Sequence, residues 1–267
     1  MIQRGITALI LLGIASVVIK LGGLAMLAWV WLIAIVAAYE MFAMLRKQGL
    51  RPYQWTGYAM ISIAILSAYY DPHFILWGHP LVRVGTLAVV AAACTELGYR
   101  RIWIPKSNLL ATARVIGFIS LTFTYIFLLR EGSNGLINFL FCILVVWATD
   151  SFALVGGRII GRTPLSQISP KKTIEGSLIG LIGALAVAWI YMLILGHYWH
   201  FNLNPIFYSV LAIGVGIVSQ LGDLHESLFK RHFGVKDSST LLPGHGGIYD
   251  RADSTLMVAP IAFYIFN

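Results

Sequence analysis

The sequence predicts an all-α polytopic membrane protein with about nine transmembrane helices and a cytoplasmic N-terminus. Three observations lead there. Hydrophobic residues make up 58% of the 267 and charged residues only 11%, and the mean hydropathy is +0.81, a composition that excludes an ordinary water-soluble domain. Apolar runs near the roughly 20 residues that a helix needs to cross a bilayer recur along the chain. Lys and Arg gather in alternate breaks between those runs, as the positive-inside bias requires. The formal charge of +8 is therefore read as orientation, and no nucleic-acid motif or partner is expected. Cys94 and Cys142 fall inside apolar runs and are expected to be small buried hydrophobes rather than a disulfide or a metal pair.

The first apolar run, about Ile6 to Ile19, follows Arg4 but no small-residue cleavage site follows it, so a retained helix is expected. The break Lys20-Leu21-Gly22-Gly23 separates it from a second helix, Leu24 to Leu45. Arg46, Lys47 and Arg51 close this pair, and Pro52 precedes a third run, Thr56 to Tyr70. Asp71-Pro72-His73 turns the chain, and the stretch from His73 to Pro80 has no Lys or Arg, as a non-cytoplasmic loop should. A fourth helix covers Leu81 to Leu97, with Arg100, Arg101 and Lys106 after it. The fifth, Leu109 to Leu129, ends in the turn-rich Arg130-Glu131-Gly132-Ser133-Asn134-Gly135. The sixth runs from Leu136 to about Asp150, the seventh from the Ser169–Gly176 region to Leu195, the eighth from Pro205 to Leu221, and a short ninth from Thr255 to Phe266. The chain thus divides into N-terminal transmembrane helices, 1–135, and a C-terminal catalytic region, 136–267, with cytoplasmic loops 151–173 and 222–254.

Charge tests this count. With the N-terminus inside, sixteen of the nineteen Lys and Arg residues fall on the cytoplasmic side, and only Lys20, Arg83 and Arg130 fall outside. The same placement brings loops 151–173 and 222–254 to one face. No inverted repeat of the kind that marks a transporter is seen.

Chemistry concentrates in Gln220–Ser254. That stretch holds Asp223, Glu226, Asp237, Asp250 and Asp253, interleaved with Lys230, Arg231, Lys236 and Arg251, and with His225, His232 and His245. Acids bind a hard divalent cation through oxygen while Lys and Arg neutralise phosphate oxygens, so the mixture suits a metal-bound polyphosphate. Gly244, Gly246 and Gly247 let backbone N–H groups approach an anion. Asp223 and Glu226, three apart, share a face if the segment is helical, and Asp250 is expected to be brought near by the Pro243-Gly244 turn. His225 and His232 are read as loop residues. Asp150, in Thr149-Asp150-Ser151, is an acid at membrane depth and hence a candidate site residue. Ser169-Pro170-Lys171-Lys172-Thr173 places two lysines and two hydroxyls at a helix start, which favours phosphate contact. Arg158 and Arg162 follow glycines without the spacing of a P-loop, and either a lipid phosphate or anionic headgroups would suit them. Glu40 and Glu96 end helices on the cytoplasmic side and are expected to pack against Arg and Trp, or to line a lipid path.

The run Ser227 to Asp253, S-x-x-K-R-x4-K-D-x-S-x2-L-P-x-H-G-G-I-x-D-R-x-D as it stands here, resembles the signature of the phosphatidate cytidylyltransferase (CDP-diacylglycerol synthase) family. Asp150-Ser151 and Ser169–Gly176 resemble two further blocks of that family. The resemblance is diffuse before Asp150. Ala252 stands where a bulkier apolar residue is common, and His225 where an aromatic is. What the resemblance implies is Mg²⁺-dependent transfer of a cytidylyl group from CTP to phosphatidate at a bacterial cytoplasmic (inner) membrane, giving CDP-diacylglycerol and pyrophosphate. It also implies a homodimer and leaves open a second, monovalent cation. The implied metal ligands are Asp223 and Asp250, with Asp150 and Asp253 beside them. Lys230, Arg231, Lys236, Asp237 and Arg251 would complete the catalytic group. Ser169, Lys171, Lys172, Thr173, His245, Gly246 and Gly247 would contact substrate phosphates. The alternatives are a polyprenol kinase, a cytidylyltransferase for another lipid phosphate, and an ion-coupled transporter.

Overall fold

The computed structural model describes residues 2–71, 76–77, 79–99, 102, 107–201, 203–241 and 246–267. Among them nine helices follow in order: α1 (Ile2–Leu21), α2 (Gly23–Lys47), α3 (Gln54–Tyr69), α4 (Pro80–Tyr99), α5 (Asn108–Glu131), α6 (Gly135–Ile160), α7 (Ile174–Trp199), α8 (Pro205–His232) and α9 (Tyr249–Phe266). No strand is present among the described residues. Six helices, α2 and α4 to α8, are long and apolar enough to cross a membrane. The protein is an all-α polytopic membrane protein, as its composition predicts. Arg100, Arg101, Lys106, Pro243, Gly244 and His245 lie outside the described residues.

Helix α5 forms the centre. It packs on α2, α3, α6 and α9, and its side chains from Thr122 to Leu129 are all buried. The Thr122 hydroxyl there donates to the Phe118 carbonyl at 2.7 Å, a bond within the helix of the kind hydrocarbon surroundings favour. Helices α6, α7 and α8 form a second group, joined to the first mainly through α9.

The α6–α7 pair is the closest in the bundle, and small residues make it so. A Cβ at Gly180 would meet the Thr149 carbonyl oxygen at 2.8 Å, and one at Gly176 would lie 2.9 Å from the Gly157 Cα. In lipid, where apolar surface alone gives helices no reason to associate, such backbone approach supplies the contact area.

The ends farthest from the acidic segment are tied together. Arg130, at the end of α5, donates to the Ile19 carbonyl at 2.6 Å and the Lys20 carbonyl at 3.2 Å. Glu131 accepts from the Gly23 N–H at 2.9 Å, so the two residues close the break between α1 and α2. The Ser133 N–H donates to the Asn267 side chain at 3.1 Å, which puts the end of α9 at this same end. Arg83 lies over the Tyr264 ring at 4.8 Å. Two of the three cations that break the charge asymmetry thus have structural partners.

Several boundaries differ from the sequence reading. Helix α6 continues past Asp150 to Ile160, α8 past Leu221 to His232, and α9 begins at Tyr249 rather than Thr255. The loops expected at 151–173 and 222–254 therefore shrink to 161–173 and 233–248. The end of an apolar run marks where a helix meets polar surroundings, and the backbone ladder continues wherever protein covers the polar face. His225 consequently lies buried within α8 instead of in a loop. Cys142 is buried as expected, but Cys94 is exposed on the outer face of α4.

Candidate active site

A cavity of about 550 Å³ opens between α6, α7, α8 and the 161–173 connection. Helix α6 contributes Asp150, Ala153, Leu154, Gly157 and Arg158, and α8 contributes Gln220 and Asp223. Lys171, Lys172, Thr173 and Ser177 line the remaining side. Four residues singled out from sequence for phosphate or metal contact at distant positions, Asp150, Lys171, Lys172 and Asp223, thus face one space, with Thr173 beside them.

Local chemistry sets the position of the lysines. The Thr173 hydroxyl caps α7 by accepting from the Gly176 N–H at 3.1 Å. The chain before it folds back as a narrow turn, with the Leu165 N–H donating to the Lys172 carbonyl at 2.7 Å and the Ile174 N–H to the Thr163 carbonyl at 2.9 Å. Glu175 accepts from the Arg162 and Thr163 N–H groups, each at 3.1 Å. Carboxylates at a first helical turn suit the positive end of the helix. Lys172 is paired with Asp223 across the cavity. Ser169 accepts from the Lys172 N–H through its carbonyl at 3.0 Å and shapes the turn. Arg158 lines the cavity, whereas Arg162 is exposed.

Beside the cavity, Asp223, Glu226 and Asp253 bring carboxylate oxygens within 4.8 Å of one another. The donor set is all oxygen and acidic, which fits a hard divalent ion such as Mg²⁺ and not zinc. Burial and then the negative charge of Asp223 raise the Asp253 carboxyl above the usual carboxylate range, as like charges held close together do. Sequence reasoning noted that Asp223 and Glu226 share a face but left Glu226 out of its metal set. The signal was their three-residue spacing, which becomes decisive only once α8 is seen to continue through both. Asp150 approaches from α6, accepting from the Ser254 hydroxyl at 3.5 Å.

Asp250 adjoins that group through Glu226. It pairs with Lys230 at 3.0 Å, and its Oδ2 accepts from the Ser238 N–H at 2.9 Å and the Gly247 N–H at 2.8 Å. Burial opposes its ionisation, but contact with Glu226 and these donors outweigh it and hold the carboxyl down at about 2. Lys230 also pairs with Glu226 at 2.6 Å, one helical turn before it. Gly246 has φ of +78° and a Cβ there would strike the Asp250 carboxylate, so glycine is required. Gly247 is buried. Arg231, Lys236, Asp237 and Arg251 are exposed around the 233–248 connection, and His245 lies outside the described residues.

On the opposite face of α8, His225 meets Glu96 at 3.1 Å and Arg114 meets the same carboxylate at 2.7 Å. The expectation of an Arg partner therefore holds for Glu96. Glu40 has neither Arg nor Trp against it in its hydrogen bonds; it is bound by Ser238, Ser239 and two backbone N–H groups.

A family model described as the cytidylyltransferase family matches residues 2–267. The chain is 35% identical over 263 residues to a phosphatidate cytidylyltransferase of Staphylococcus haemolyticus, covering 97% of this chain and 96% of the relative. A Synechocystis protein of the same name is 32% identical over 293 residues, covering 98% and 95%. One from Rickettsia bellii is 36% identical over 199 residues, covering 72% and 82%.

Removing the cation between two nearly buried acids leaves uncompensated charge. Lys230→Met is expected to destabilise the folded protein by about 3 kcal/mol, read as a lowered unfolding midpoint in detergent. An unchanged midpoint would remove this ion pair from the account of how α8 and α9 are joined.

Proposed function

Since this chain belongs to the cytidylyltransferase family and is a nucleotidyltransferase, we propose that it transfers a cytidylyl group from CTP to phosphatidate, giving CDP-diacylglycerol and pyrophosphate. The observation that carries this reading is the single cavity shared by Lys171, Lys172, Asp150 and Asp223 beside the three-acid group. Cations for phosphate and acids for a metal are there together, with Ala153, Leu154 and Leu165 as apolar wall.

In this reading a phosphate oxygen of phosphatidate bonds to the α-phosphorus of CTP, and the bond from that phosphorus to the bridging oxygen of the β-phosphate breaks. The electron pair leaves with pyrophosphate. A phosphate monoester has its second pKa at about 6 and is already an anion at neutral pH, so no strong base is needed. Lys171 and Lys172 neutralise phosphate oxygens, and Arg158 supplies a third cation at the rim. The Thr173 oxygen is engaged in capping α7, but its hydroxyl hydrogen is left to donate. Asp223, Glu226 and Asp253 would hold Mg²⁺, with Asp150 adjacent and Asp250 orienting Lys230. Bound there, Mg²⁺ would stabilise charge on the transferring and departing phosphates.

Incubation of purified protein with phosphatidate and CTP labelled separately in the cytosine ring and the γ-phosphate tests the reaction. Ring label is expected in the lipid and γ label in pyrophosphate, with both lost on chelation and restored by Mg²⁺. Entry of γ label into the lipid would replace this reading with a lipid kinase. Activity without any divalent ion would remove Mg²⁺ from it.

Single substitutions separate the acids. Asp223→Asn is expected to lower turnover at least about a hundredfold, the upper end of what losing a group that only orients a metal ligand costs, and to raise the Mg²⁺ concentration needed for half-maximal rate. Asp250→Asn is expected to abolish turnover while the protein remains inserted, because Lys230 and the loop lose their anchor. Near-normal activity in either variant would free that residue from its role.

The site is proposed to face the cytoplasm of a bacterial inner membrane, with nine crossings and the N-terminus inside. The ties among the ends of α1, α5 and α9 put those ends on one side, as this topology requires, and the bias of Lys and Arg supports the choice of side. In a variant lacking Cys94 and Cys142, Lys236→Cys should react with an impermeant maleimide only after permeabilisation, and Ser133→Cys in intact cells. The reverse pattern would invert the topology.

A further inference from the structure

Glu40 lies in α2, outside the half of the chain that lines the cavity, and is only 1% exposed. Its carboxylate accepts four hydrogen bonds, three from the segment joining α8 to α9 and one from the first residue of α9. Oε1 accepts from the Ser239 hydroxyl at 2.6 Å and the Ile248 N–H at 3.0 Å. Oε2 accepts from the Ser238 hydroxyl and the Tyr249 N–H, each at 2.9 Å. The two sides of the connection are thereby drawn to one point. Asp250 closes the same neck from the other side through the Ser238 and Gly247 N–H groups. The junction is too tight for a further side chain: a Cβ at Gly247 would fall on the Ser238 hydroxyl and on both Glu40 oxygens.

We infer that Glu40 is a positioning residue for the reaction proposed above: by joining residues 238–239 to 248–249 it sets where Asp250 and the first turns of α9, which carry Asp253, stand relative to the cavity. The inference rests on that reading of the function. Its physical basis is the number of acceptors. A carboxylate offers two oxygens with two acceptor sites each, and four donors converge on it. A glutamine in its place keeps one oxygen and turns an NH₂ group toward two donors, which opens the neck from one side. None of these four bonds goes to α3 or α5, the helices against which most of α2 packs.

The test compares purified full-length wild type with E40Q in the ring-label assay, fitting kcat and KM separately for each substrate. The expected result is a fall in kcat of about tenfold or more with each KM changed less than about threefold, and an unfolding midpoint in detergent within about 4 °C of wild type. Should E40Q fail to fold, the S238A/S239A double variant, which removes two donors and no charge, is read in the same way. Wild type that transfers no label overturns the proposed function itself. Transfer by wild type with kcat intact in the variant overturns the positioning role, and so does a loss of activity that only tracks the amount of folded protein.

Discussion

Lys230 stands between two nearly buried carboxylates, and the C-terminal half of the molecule is arranged so that this ionic contact can exist. Taking charges out of water is costly unless they are closely paired and their remaining valences are met. Meeting that condition fixes several features together. Helix α8 must continue to Lys230 so that Glu226, one turn earlier, lies beneath it. Helix α9 must begin at Tyr249 so that Asp250 reaches the same ammonium. The connection must fold back so that Ser238 and Gly247 present N–H groups to Asp250.

From this contact the neighbouring chemistry follows along α8. Asp223 faces the cavity and Lys172, Glu226 joins it in the acidic group, and His225 points to the far side, toward Glu96. One helix thus presents a polar surface in more than one direction at its final turns while its earlier part is apolar. The change in character is what hides its true end from a reading based on hydropathy.

That contrast explains what was legible in the sequence. The all-α membrane fold was, because apolar length and the asymmetry of Lys and Arg are properties of local sequence. So was the grouping of Lys171, Lys172, Asp150 and Asp223, since their residue types point to one chemistry even at a distance along the chain. Helix ends were not: at Asp150 and Leu221 the polarity changes but the backbone ladder does not. The inclusion of Glu226 with Asp223 and Asp253 was only half visible, because its spacing matters only on a continuous helix. The partners of Glu40 were invisible, being nearly two hundred positions away in the chain and half of them backbone N–H groups that no residue type announces.

The apolar wall of the cavity has a consequence for energetics. Leu154 and its neighbours Val155 and Ile159 are exposed on the outer surface of α6, so the polar chamber lies directly against a face suited to hydrocarbon. On the reading proposed above, a lipid can present its headgroup sideways while its tails stay among other lipids. Withdrawing a two-chain lipid of roughly 28 methylenes into water would cost on the order of 20 kcal/mol at about 0.8 kcal/mol for each. A catalyst that meets its substrate laterally avoids that extraction, and its affinity is then governed by the concentration of the lipid within the plane of the membrane rather than in the surrounding water.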